Sequence, residues 1–284
     1  MSDVTAFAGL RPAPRPSVTP AVTAAQPPAA PTPRPVPAPA RLDVVYLELL
    51  RWSLAQTGAL LPVVVVVQAV LAFGVVVGFG LLIPDLDLPT AAYLATGAPT
   101  VLILTVGLVM VPQAVSTARL RGSYTFQRSL PVPRLLLLAA DLTMWGLVAL
   151  PSIVVAVGIG ALWYGFELRV DWPLLLGTAA LTVLTASATG YAIAVLLPPL
   201  LAQVTTQVVL FFIMLFSPVT FPPERLPEWF QALHALLPVQ ASADAIRAGL
   251  LADSYSVSGG SLVVLAVWCV AGLVVTLSAI SRRA

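Results

Sequence analysis

The fold is decided by the stretch at residues 217–251, which reads SPVTFPPERLPEWFQALHALLPVQASADAIRAGLL and lies between two long apolar blocks. Prolines divide it into short pieces, because proline removes a backbone donor and clashes inside helices. Between them, Pro227 suits a helix start, and apolar residues recur at helical spacing. The stretch therefore predicts a hairpin of two short amphipathic helices that caps a bundle. Its marker residues are Pro218, Pro222, Pro227, Trp229, Pro238 and the i, i+3 pair Asp244 and Arg247.

The composition excludes a soluble protein. The chain has 284 residues, of which 59% are hydrophobic and 9% charged, whereas soluble domains carry about 25% charged residues. A helix that spans a membrane needs about 20 apolar residues. The sequence predicts an all-α membrane protein with six transmembrane helices, at 59–83, 91–115, 135–163, 173–197, 200–217 and 260–280. Only Pro198 and Pro199 separate the fourth and fifth blocks, so we expect a tight turn there, with one fused or re-entrant segment as the alternative.

The arginines predict the orientation. The chain has no lysine, as is typical of a GC-rich bacterial genome. With six spans, all arginines except Arg169, Arg225 and Arg247 lie on the side that holds both termini. Positive charge near spans favours the cytoplasm. We therefore expect a multi-pass protein of the bacterial plasma membrane, with both termini cytoplasmic and the Pro-rich hairpin outside.

Two N-terminal regions precede the first span. Residues 1–40 are rich in Pro and Ala, which predicts a disordered cytoplasmic tail; a docking tail for a partner or for anionic lipid is the alternative. Residues 41–57 have a polar half with Glu48 and Arg51 and an apolar half with Trp52. This pattern predicts a cytoplasmic amphipathic helix in the membrane interface, or else an extension of the first span.

The segment at residues 117–134 is basic and aromatic. Its arginines surround Tyr124 and Phe126, a composition that suits a contact with a partner protein, although arginines that only set topology are the alternative. The candidate contact residues are Arg119, Arg121, Gly122, Tyr124, Phe126, Arg128 and Arg134.

Few polar side chains lie within the spans. Asp141 is seven residues past Arg134, about 10 Å along a helix, so an arginine could pair with it; a role in coupling or gating is the sharper hypothesis. We expect Gln68 and Gln207 to form hydrogen bonds between helices, with lining of a substrate path as the alternative. His234 is expected to be an interfacial residue rather than a ligand.

The hairpin pattern resembles the segment before the last span in ABC transporter permeases of the type-2 export family. Arg119, Gly122, Ser123, Pro131 and Arg134 loosely match the loop after the family's second span. The resemblance covers residues 41–284 and implies an export permease. It also implies that two such subunits face each other among membrane lipids and that separate ATPase subunits drive a lipid-like or drug-like substrate across. The amphipathic helix and the basic segment would then contact the ATPase.

The residues limit the other functions. A GxxxxGK[ST] phosphate loop requires lysine, so we expect ATP and Mg²⁺ on the partner subunit, no cofactor on this chain and no enzymatic activity of its own. Nucleic acid is not an expected partner. One alternative is an ion-coupled secondary transporter, although the two halves show no convincing repeat. A less favoured alternative is a polytopic membrane glycosyltransferase that binds metal through Asp85 and Asp87.

Overall fold

The computed structural model describes residues 41–58, 61–83, 87–124, 132–219, 222–223 and 226–282. The predicted tail at residues 1–40 lies outside them. Throughout the described ranges, the regular elements are helices, joined by one isolated parallel bridge between Arg169 and Leu251. Six of the helical segments are long and apolar enough to cross a membrane. The chain is therefore an all-α membrane protein, as the composition predicted.

The elements follow the chain in a simple order. Helix α1 (Leu42–Gly58) comes first. Span 1 consists of α2 (Leu61–Phe73), a π-helical segment (Gly74–Gly78) and α3 (Phe79–Leu82), and span 2 of α4 (Leu88–Thr105), a π-helical segment (Val106–Met110) and α5 (Val111–Leu120). Spans 3, 4 and 5 are α6 (Arg134–Tyr164), α7 (Trp172–Leu196) and α8 (Pro199–Phe216). The hairpin helices α9 (Glu228–Ala235) and α10 (Pro238–Leu250) precede span 6, which is α11 (Gly259–Arg282).

Spans 4 and 5 are separate helices. The backbone of Leu197 is extended, and Pro198 and Pro199 start the next helix at once, so the predicted tight turn is confirmed and a fused segment is excluded. Proline suits this position because backbone N–H groups in the first turn of a helix have no acceptor within the helix, so the N–H that proline lacks is not needed.

Span 2 is longer than the sequence predicted. It continues through Arg119 to Leu120 and ends in a turn where Gly122 has a φ of +77°. This left-handed conformation favours glycine because other side chains are strained there. The prediction that placed Arg119 in a loop is therefore wrong, since its side chain projects from the end of a helix.

Spans 2 and 4 form the centre of the bundle. About 89% of the most apolar stretch of span 2 is buried, compared with 22% of the corresponding stretch in span 5 and 28% in span 6. The two central spans cross where Gly107 meets Ala186 and Gly190. Small residues let helix backbones approach closely in lipid, where no hydrophobic force draws helices together. The crossing therefore positions every span that packs on these two helices.

We predict that Gly190→Leu disrupts this crossing. A Cβ at Gly190 would overlap with the carbonyl oxygen of Gly107, a backbone atom that cannot move without shifting span 2. The substitution should lower the free energy of unfolding by about 3 kcal/mol or more, as overpacked cores do. The midpoint of thermal unfolding of the purified chain in detergent measures the loss.

The matched control is Gly177→Leu on the same helix. Gly177 is exposed, and a Cβ there meets no atom within 4 Å. This variant should unfold within about 0.5 kcal/mol of the parent. Equal unfolding temperatures for the two variants would contradict the packing role of Gly190.

Candidate functional site

Helix α1 is tied to span 3 by two side-chain hydrogen bonds. Tyr46 donates its hydroxyl to Thr143 Oγ1 at 2.8 Å, and Ser53 donates to Asp141 Oδ1 at 3.1 Å. From span 4, Tyr191 donates to the other oxygen of Asp141 at 3.4 Å. One carboxylate thus joins α1, span 3 and span 4. We name Ser53, Asp141 and Tyr191 the carboxylate link.

The predicted pairing of Asp141 with an arginine is wrong. Within the described ranges, the partners of this carboxylate are the two hydroxyls, and no arginine forms an ion pair with it. A half-buried acid can be satisfied in this way because hydroxyl donors compensate for the water that it loses. The carboxylate is therefore a junction between helices rather than half of a salt bridge.

A cavity adjoins the carboxylate link. Asp141 lines it together with residues of α1, span 2, span 3 and span 4. Its volume is about 100 Å³, enough for small shifts of these helices or for a few waters. The remaining lining residues are Ser53, Gln56, Thr57, Ala114, Val115, Ala118, Tyr124, Met144, Trp145 and Tyr191.

Arg119 links spans 2 and 4. Its guanidinium donates to the carbonyl oxygens of Ala194 and Leu197, the latter at 2.8 Å. These carbonyls belong to the last turn of span 4, where a helix has no further amide donors to offer. The sequence predicted Arg119 as a contact for a partner; in the structure, one of its guanidinium nitrogens donates to carbonyls within the chain, and the side chain is half-buried. This side chain therefore holds the ends of two spans together.

The other residues of the predicted contact set differ in exposure. Arg121 is exposed just beyond span 2, Tyr124 is half-buried at the cavity, and Arg134 begins span 3. On α1, Glu48 and Arg51 form an exposed ion pair at 3.0 Å, and Trp52 is half-buried. Phe126 and Arg128 lie outside the described residues. Arg121 thus presents positive charge at the end of the bundle that carries α1, where Arg51 contributes an exposed ion pair with Glu48.

The opposite end is held by the buried side chain of Arg247, which is 1% exposed. Its guanidinium donates to Asp244 at 2.9 Å and to the carbonyl oxygen of Val219 at 3.0 Å. The guanidinium carbon lies 3.5 Å from the centre of the Tyr93 ring, close enough for a cation–π interaction. The predicted pair of Asp244 and Arg247 is therefore confirmed. Its burial against span 2 could not be read from the spacing.

The other hairpin residues follow the predicted pattern in part. The extended residue Pro227 precedes α9, Pro238 begins α10, and the carbonyl of Pro218 accepts a hydrogen bond from Tyr93 at 3.2 Å. Pro222 is described but lies in no regular element. Trp229 is 70% exposed and shares the outward apolar face of α9 with Leu233 and Leu236. This face is free to contact lipid.

His234 is not interfacial. Its side chain is 2% exposed, Nδ1 lies 3.0 Å from the carbonyl oxygen of Phe230, and its ring meets the Phe230 ring edge-on. The prediction was wrong because α9 turns its histidine inward and its leucines outward, whereas polarity alone suggested the reverse.

The two intramembrane glutamines have different environments. Gln68 is buried, and its Nε2 lies 3.5 Å from the carbonyl oxygen of Leu102, a long hydrogen bond that joins spans 1 and 2 as predicted. Gln207 is exposed on span 5. The expected hydrogen bond between helices of this chain is therefore not formed by Gln207.

Span 5 exposes an apolar face along its whole length. Leu200, Val204, Phe211 and Leu215 are each more than half exposed, and their spacing places them with Gln207 on one side of the helix. A polar side chain on a face otherwise made for lipid is costly unless it finds a partner. This arrangement suits an interface with another membrane protein.

The sequence did not single out Ser53, Thr143 or Tyr191. Single hydroxyls inside helices carry little signal, because most bond to their own backbone. One clue was available, since Tyr46, Leu49 and Ser53 recur at i, i+3 and i+7 and so form a stripe that faces span 3.

The fold defines a polytopic, all-α membrane protein. A family model described as ABC-2 type transporter matches residues 48–251. The chain therefore belongs to the ABC-2 type transporter family, and the resemblance seen in its sequence is confirmed. A comparison with curated proteins found no match.

We predict that Arg247→Ala loosens the hairpin end of the bundle. The substitution removes charged hydrogen bonds and leaves the buried Val219 carbonyl without its donor. The free energy of unfolding should fall by roughly 2–3 kcal/mol, the usual cost of losing a hydrogen bond to a charged group. Thermal unfolding of the purified chain in detergent measures this change.

Arg169→Ala is the control. Arg169 is at the same end, and its ion pair with Asp253 is formed by two largely exposed side chains. Exposed pairs contribute about 0–1 kcal/mol, so this variant should unfold close to the parent. If Arg247→Ala is no less stable than Arg169→Ala, the buried guanidinium does not hold the hairpin.

Proposed function

We propose that this chain is the membrane-spanning permease subunit of an ATP-driven exporter and that a separate ATPase subunit works it from the end that carries α1. The family match supports a permease of this class. The carboxylate link is the observation that carries the proposal, because it connects the helix nearest the expected ATPase directly to two spans.

Arginine distribution supports the orientation. Arg51, Arg119, Arg121 and Arg134 lie at the α1 end, whereas the hairpin end carries Arg169 and the internally bonded Arg247 among the described residues. Positive charge near spans favours the cytoplasm. The α1 end is then cytoplasmic, in a bacterial plasma membrane, and the hairpin faces outward.

The contacts within the chain support a route of coupling. A push on α1 reaches span 3 through the bonds of Tyr46 and Ser53, and it reaches span 4 through Asp141 and Tyr191. The cavity beside Asp141 leaves room for this movement. Span 4 packs on spans 2 and 6, so its displacement changes the centre of the bundle. ATP and Mg²⁺ belong to the partner, since the chain has no lysine for a phosphate loop.

The exposed face of span 5 supports the proposal that a second permease subunit binds there. Gln207 lies among apolar residues on this face, where a hydrogen bond to a partner helix would offset its cost in lipid. A translocation path between two such subunits would then be bounded by their fifth spans. The substrate would be lipid-like or drug-like, in keeping with an apolar path.

The docking surface can be tested by charge reversal. We expect the double variant Arg51→Glu, Arg121→Glu to bind the ATPase roughly tenfold more weakly. Reversing these charges removes attraction to acidic groups of the partner and introduces repulsion, which slows association. The measurement is the amount of ATPase that co-purifies with the tagged chain from its host. Arg169→Glu, an exposed arginine at the hairpin end, is the control and should bind normally. Equal recovery from all three chains would argue against docking at the α1 end.

The carboxylate link can be tested separately from docking. Asp141→Leu removes both acceptors, so the ATPase should still co-purify, but its turnover should no longer respond to the permease in vesicles. Asp141→Asn keeps one acceptor oxygen and should retain most of this response, because hydrogen bonds and not charge carry the link. If the Asp141→Asn and Asp141→Leu variants both abolish the response of ATPase turnover to the permease, the hydrogen-bonded link is not the coupling route.

A further inference from the structure

A second, larger cavity lies beneath the hairpin. It has a volume of about 330 Å³ and is bounded by span 2, span 4, span 5, span 6 and the start of α10. It shares no lining residue with the cavity at Asp141. Pockets of this size accept small molecules or parts of larger ones.

The polar groups of this cavity are already bonded within the chain. Thr185 and Thr189 donate to carbonyls one turn back on span 4, and Ser242 does the same on α10. The indole N–H of Trp268 donates to the carbonyl oxygen of Leu236 at 2.9 Å. These four side chains therefore turn their carbon atoms toward the cavity and leave it no free donor. A polar occupant would lose its hydrogen bonds to water and find no donor in the cavity to replace them. The lining therefore favours binding of a hydrocarbon group.

The cavity extends along span 4. It follows span 4 from Thr185 to Ile193, which is eight residues or about 12 Å of helix, and it reaches Leu237 and Pro238 at the hairpin. Its long direction is that of the spans. This shape fits an extended chain aligned with the membrane normal better than a flat, rigid ring system.

The cavity opens sideways between spans 5 and 6. Among its lining residues, Val208 is 62%, Phe212 48% and Trp268 36% exposed. These residues lie within segments that cross the bilayer, so the opening faces lipid tails and not water. An apolar space that water does not fill leaves its walls without contact atoms.

We propose that this cavity binds one hydrocarbon chain of a membrane phospholipid, which enters between spans 5 and 6 from the leaflet at the hairpin end. The headgroup of this lipid lies beside the hairpin, where the exposed Trp229, Leu233 and Leu236 of α9 rest in the same leaflet. The proposal requires that the chain lie in a bilayer, which its family and its spans establish, and it does not depend on coupling to an ATPase.

The test uses the full-length chain in nanodiscs of phosphatidylglycerol that carries a photoreactive diazirine in mid-chain. After irradiation, mass spectrometry locates the adducts. We expect adducts on Thr189 inside the cavity and on Phe212 at its opening, in addition to those on the lipid-facing residues Val263 and Val270 of span 6. Thr189→Phe, which fills the cavity, should reduce the cavity adducts roughly tenfold relative to those on span 6, because the ring clashes with the bound chain.

Two further variants make the result decisive. Val208→Trp narrows the opening from another helix and should have the same effect as Thr189→Phe. Leu184→Phe enlarges an exposed residue of span 4 that does not line the cavity, and it should leave the labelling unchanged. The proposal is wrong if adducts form only on exposed faces. It is also wrong if filling variants and the control label alike, or if Thr189 and Phe212 instead crosslink to a second copy of the chain.

Discussion

A chain in hydrocarbon must satisfy its own backbone, because lipid tails offer neither donors nor acceptors. Helices throughout the described ranges satisfy the backbone groups internally, and the turn between spans 4 and 5 is very short. The helices then need another reason to associate, since lipid competes equally for apolar side chains. The close contact of Gly107 with Gly190 and Ala186 provides it at the centre of the bundle. Span 2 is consequently enclosed on most sides, and the other spans take their places around it.

The polar side chains act where the spans end, and the two ends differ. At the hairpin end, the guanidinium of Arg247 is fully buried and contacts a carboxylate, a carbonyl and an aromatic ring at once, so it can hold only one arrangement. At the α1 end, Asp141 is half-buried, bonds to two hydroxyls and adjoins open space. The hairpin end is therefore held by a fully buried charged group, whereas the α1 end is joined by a half-buried carboxylate beside a cavity.

Three of the apolar regions in the described part of the chain differ in character. The face of span 5 is long and carries Gln207, and it is the surface proposed for contact with a second subunit. The face of α9 is short and carries Trp229, as is typical of a helix at the level of lipid headgroups. The cavity under the hairpin is enclosed on several sides, and the side chains that line it offer no free hydrogen-bond donor. The proposed subunit interface and the proposed lipid site thus involve separate sets of residues.

Hydrophobic length, proline positions and the pair of Asp244 and Arg247 are local features, so the class of protein, the number of spans, the hairpin and the family could be predicted without the structure. Helix ends were harder to predict, and Arg119 was misplaced because nothing near it stops a helix before Gly122. The partners of Asp141, the burial of Arg247 and His234, and the exposure of Gln207 became known only from the packing of the helices. Each of these depends on which helix lies opposite. Ser53 and Asp141 are far apart in the sequence and meet only because their helices pack together. The spans all have a similar apolar composition, and composition does not specify which face of one span contacts another.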